Sequence, residues 1–115
     1  MSILNTPYIR KELVEIHELQ EKISTYDPLQ VFNSPQDALE HLHTLYALVE
    51  KQHVVYTRLC LETEDKPAQE LRLTIEQVSV MMGRPEEITV AEFYSSMKED
   101  LTEAIKELDP KAFED

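Results

Sequence analysis

The stretch PQDALEHLHTLYALVEKQHVVYTRLCL, Pro35 to Leu61, decides the architecture. Ser34 stands before it as a helix cap, and Pro35 suits the first helical position, where a missing N–H costs nothing. A helix over 35–61 would be about 40 Å long at 1.5 Å per residue. Its main apolar row is Leu42, Leu45, Val49, Tyr56 and Cys60, and Leu48, Val55 and Leu59 form a flanking row. So broad an apolar arc suits the central helix of a bundle, with Cys60 read as a small packed hydrophobe. The acidic run ETEDK, 62–66, ends it.

Shorter helices are predicted on either side. In TPYIRKELVEIHELQEKI, 6–23, Thr6 stands as the cap and Pro7 at the first position. Ile9, Leu13, Ile16, Gln20 and Ile23 mark one face, with Gln20 its polar member. Asp27-Pro28 and Ser34-Pro35 then break the pattern. Beyond the long helix, a third begins near Pro67 with Leu71, Ile75, Val78 and Met82 as its core row, and Leu73 and Val80 lie on its opposite side. Gly83, the only glycine, suits the left-handed residue that closes a helix. The fourth opens at ITVAEFY, 88–94. Thr89 and Glu92 form a capping box, and Ile88 and Phe93 are spaced as a hydrophobic staple. Val90, Phe93, Met97, Leu101, Ala104 and Leu108 would face the core, leaving Glu92, Glu99 and Glu103 outward.

The expected fold is all-α, an antiparallel four-helix bundle with a long second helix. It forms one domain over 1–115, with 1–5 and 109–115 frayed. The composition agrees. The 115 residues suit one domain, 42% are hydrophobic and 30% charged, and one glycine is too few for the frequent turns of an all-β chain. A single cysteine forms no internal disulfide. With neither a signal-peptide pattern nor an apolar segment of membrane-spanning length, a cytoplasmic home is expected. The formal net charge of -12 repels nucleic acid and anionic membrane, and it suits a basic protein partner.

YTRLCL at 56–61 and TIEQV at 74–78 resemble a small cyanobacterial all-helical family classed as a domain of unknown function, the one numbered 1825. Arg58, Leu61, Glu64, Asp65, Thr74, Glu76, Gln77 and Gly83 stand at the matching places. The likeness runs from Leu39 to Leu108 and departs at GRPEEITVAEF, 83–93, where the family favours a shorter Thr-Pro helix start. The resemblance implies an all-helical fold and a cyanobacterial cytoplasm. It brings no activity and no site residues.

Two Glu-x-x-His units, Glu40 with His43 and Glu50 with His53, invite a metal-bundle reading, because di-iron proteins place such units on facing helices. Here both lie on one helix. Ten residues separate them by about 15 Å and roughly 280°, so they do not share a metal pair. Glu50 and His53 remain as weak ligands for a mononuclear site, with His17 as a third, against a structural role for His53. No nucleophile is paired with a base, and no glycine-rich loop is present to hold a phosphate. No cofactor and no enzymatic activity are expected.

The remaining candidates lie on the surface. Residues 86–115 carry ten acidic and three basic side chains, a net 3 - 10 = -7 of the total -12. Glu92, Glu99 and Glu103 would form a docking ridge for a basic partner, set against an ordinary solvated face. Leu73 and Val80 would form a second patch, for a partner or for a homodimer through the long helix. The reading is a non-catalytic protein-interaction or regulatory module. Its alternatives are a metal-binding bundle using Glu50 and His53, and an acidic nucleic-acid mimic acting as an inhibitor.

Overall fold

The computed structural model describes residues 2–27 and 34–112. Four helices, α1 (Pro7–Ser24), α2 (Pro35–Leu61), α3 (Lys66–Met81) and α4 (Val90–Leu108), pack together as an all-helical bundle, preceded by a 3-10 turn at Ile3–Asn5. Among the described residues there is no strand. The expected break at Asp27-Pro28 extends beyond the described residues at Pro28, as do Met1 and the acidic end 113–115.

Local chemistry accounts for the helix ends. The Ser34 hydroxyl accepts from the Asp37 N–H, the Asp65 carboxylate accepts from the Ala68 N–H, and each helix carries proline in its first turn. At α4 the expected capping box is complete. Thr89 Oγ1 accepts from the Glu92 N–H at 3.1 Å, and Glu92 Oε2 accepts from the Thr89 N–H at 3.2 Å. Gly83, at φ 107°, closes α3. Its N–H donates to the Val80 carbonyl and the Arg84 N–H donates to the Ser79 carbonyl, the two bonds of a Schellman motif.

The broad arc of α2 is explained by two cores on its two sides. Val55 and Leu59 pack with Ile3, Ile9, Ile16 and Ala68. Val49 and Tyr56 pack with Val90 and Tyr94 of α4, and Ile75 of α3 touches both groups.

Several expectations are corrected. Residues 2–5 are not frayed: Ile3 is buried, and the Asp65 carboxylate accepts from Ser2 Oγ at 2.9 Å and the Ile3 N–H at 2.6 Å. Those bonds, the Ile3 N–H first, hold the Asp65 carboxyl below its usual 3.8. Thr6 stands at the N-cap of α1, but its hydroxyl donates backward to the Ile3 carbonyl at 2.7 Å and makes no capping bond. Cys60 is exposed, whereas Leu59 of the flanking row is completely buried. One step along a helix is about 100°, and α3 covers the Leu59 side. Within α3 the buried residues are Ala68 and Ser79, while Val78 and the C-cap residue Met82 are 46% and 61% exposed. On α4 the buried set is Val90, Tyr94 and Ile105, and Leu108 is exposed. Its core-facing stripe is thus rotated toward Tyr94 and Ile105 from the expected row.

Candidate functional site

Each Glu-x-x-His residue has its own local setting. Glu40 pairs with Lys22 of α1 at 3.6 Å, and His43 is exposed. His17 pairs with Glu21, one turn along α1, at 3.1 Å. Glu50 is exposed, and His53 is half-buried with its ring centroid 5.6 Å from that of Tyr94. Burial, then the charge of Lys98, holds the His53 imidazole below its usual 6.5, against an opposing pull from Glu50. The structure therefore does not bring His17 to Glu50 and His53. Among the described residues, no group of three or more histidine, cysteine or acidic side chains converges as a metal site.

The helix-four carboxylates are not a one-sign ridge. Glu92 is engaged in the capping box, and Glu99 and Glu103 share a shallow depression with Lys98, Lys106 and Tyr46. Alternating charge of this kind suits a solvated face more than a docking surface for one sign. Leu73 and Val80 are both exposed, as expected.

Polar side chains tie α2 to α3 on the side of the second core. Tyr56 Oη donates to Glu76 Oε1 at 2.8 Å, and Arg72 donates to the same oxygen at 2.6 Å. Burial first, and that bond second, push the Tyr56 phenol well above its usual 10.0. Gln69 Nε2 donates to the Leu59 and Glu62 carbonyls at 3.1 and 2.8 Å, satisfying the end of α2. Arg84 Nε donates to Ser79 Oγ at 2.7 Å, and its guanidinium also reaches the Ile88 carbonyl. These groups are used up in holding the helices together.

An apolar cleft of about 230 Å³ is lined by residues from all four helices. Its lining includes Leu13 and Ile16 of α1, Gln52 and Val55 of α2, Ile75 and Val78 of α3 with Met82 just after it, and Phe93 of α4. None of its lining residues is a carboxylate, histidine, cysteine, lysine or arginine. Such a lining supplies neither a general base nor a charged metal ligand, and its chemistry is hydrophobic contact.

Reading Val78 and Met82 as core missed this cleft. The signal was present: Val78 and Met82 are apolar, four residues apart and at the end of a short helix. What they face depends on where α1 lies. His41 was also missed. Its Nδ1 is buried with no hydrogen-bond partner among the described residues, and its ring meets Tyr26 edge-on at 4.7 Å. His41, Leu48 and Val55 recur every seven residues on one face of α2, a spacing that the sequence does display.

No family model, no curated protein and no solved structure matches this chain. Among the described residues, no helix is long and apolar enough to cross a membrane.

Proposed function

We propose that this chain is a non-catalytic protein-binding module, and that it binds through the apolar cleft between its helices. The observation that carries this reading is the exposed apolar lip of α3. Val78 is 46% and Met82 61% open to solvent beside a cleft without charged side chains. Exposed apolar surface that is contiguous and concave favours a partner, whereas scattered apolar residues are ordinary. At about 230 Å³ the cleft is smaller than the roughly 300–1,000 Å³ of small-molecule sites, so it suits a few anchoring side chains of a larger partner. The motifs between Arg58 and Gly83 support kinship with the cyanobacterial family they resemble, and with it a cytoplasmic setting.

The test is a paired capture experiment with the immobilised wild-type chain and its Val78→Glu variant, both checked for helical content. A partner held by the wild type and lost by the variant supports the reading. A partner held equally by both excludes the cleft. No partner, together with turnover in a substrate screen, overturns the non-enzymatic reading.

A further inference from the structure

Resting on that protein-binding reading, we infer that the occupant of the cleft is a single amphipathic helix with a basic flank, supplied by a partner protein. The shape argues for a helix. α3 has 16 residues against the 27 of α2, so it is about 24 Å long beside about 40 Å. It is therefore too short to run the whole length of α2, and the cleft lies where Gln52 and Val55 of α2 meet the other three helices. The cleft is walled by helices, and among the described residues no strand edge is available to pair with an extended peptide. A helix laid into a groove presents apolar anchors at i, i+3, i+4 and i+7, and the lining of this cleft receives apolar anchors. Met82 and its neighbour Met81, both exposed, give the lip a side chain that adapts to different anchors.

Charge argues for the basic flank. Phe93, which lines the cleft, is followed at seven-residue steps by Asp100 and Glu107, so these three share one edge of α4. Asp100 and Glu107 are both exposed. The edge that is apolar at Phe93 thus becomes acidic further along. Lysines or arginines flanking the apolar stripe of the occupant would meet this edge. A second copy of the chain is disfavoured as occupant, because two bodies of formal charge -12 repel.

The probe is a synthetic peptide of about 15 residues with leucines at helical spacing and lysines on both flanks. Its controls are the same peptide with glutamate for lysine and a scrambled peptide of identical composition. Anisotropy titrations are expected to show the lysine peptide binding at least about tenfold more tightly than either control. Met82→Glu or Val78→Glu should weaken it about tenfold at any salt concentration, with helical content unchanged. Asp100→Lys with Glu107→Lys should weaken it at low salt and much less at high salt. Equal binding of the scrambled peptide, or indifference to the two cleft variants, overturns the inference. So does a dimer in sedimentation that Met82→Glu dissociates. If the peptide fails while a captured partner is still lost on Val78→Glu, the basic-helix occupant falls and the protein-binding reading stands. If neither depends on the cleft, both fall.

Discussion

Leu59, Cys60 and Leu61 are consecutive on α2, and their truncation separates burial by a neighbouring helix from membership of an apolar row. Leu59 is 0% exposed and packs with Ile3, Ile9, Ile16, Val55 and Ala68. Leu59→Ala removes three methyl or methylene equivalents from a filled core and leaves a cavity, at a cost of about 2–5 kcal/mol. That is a large part of the roughly 5–15 kcal/mol that holds a domain folded. For 115 residues the unfolding entropy is about 240 cal/mol/K, so a loss of about 3 kcal/mol lowers the melting temperature by roughly 12 °C. Cys60 is exposed, and Leu61 is 68% exposed. Cys60→Ala and Leu61→Ala should each stay within about 0.5 kcal/mol of the wild type. Urea denaturation followed by far-UV circular dichroism measures all three, with an unchanged slope expected if only stability moves. A cost for Leu59→Ala below about 1 kcal/mol, or a Cys60→Ala cost that equals it, would refute the described seating of α3 on α2.

Other outcomes follow from single contacts. Thr89→Ala removes the hydroxyl that accepts from the Glu92 N–H, and it should cost about 1 kcal/mol by the same denaturation assay; an unmoved midpoint would mean that the box does not hold the start of α4. Burial raises the Tyr94 phenol and, with its bond to Glu76, that of Tyr56, so in an alkaline absorbance titration these two should ionise above 10.0. Tyr56→Phe and Tyr94→Phe should each remove late-ionising amplitude, and completion of the whole transition near the ordinary phenol range would count against both burials. His53 has its folded pKa below the unfolded 6.5, so the unfolded chain takes up the proton first. Stability should therefore be full above 6.5 and fall as pH drops below it, a dependence that His53→Gln reduces. The Lys51 bond to Glu15 and the Ile3 N–H bond to Asp65 lower those carboxyls from 4.5 and 3.8, so their contributions are present above those values and lost as pH falls through the lowered ones. An acid unfolding midpoint unchanged by Asp65→Asn would contradict the Asp65 contacts.

The helices were legible because their ends are local events. The Ser34 cap, the early prolines, the Thr89–Glu92 box and Gly83 each involve residues within about one turn of the boundary they make. The predicted span of 35–61 matches α2 residue for residue. Burial is not local in this sense. The row holding Cys60 and the row holding Leu59 differ by one step of helix, and their apolar character is alike. The positions of the N-terminal turn, α1 and α3 together make Leu59 core and leave Cys60 at the surface. Two cores on adjacent sides of α2, about one 100° step apart at Val55 and Tyr56, also blur the single stripe that periodicity seeks, and on α4 Tyr94 and Ile105 replace part of the expected row. The Ser2 and Ile3 bonds to Asp65 span more than sixty positions, and no pattern within the chain announces them. The cleft belongs to the same class. Leu13, Val78 and Phe93 are unremarkable apolar residues in sequence, and they become a binding surface because four helices of unequal length leave a gap between them.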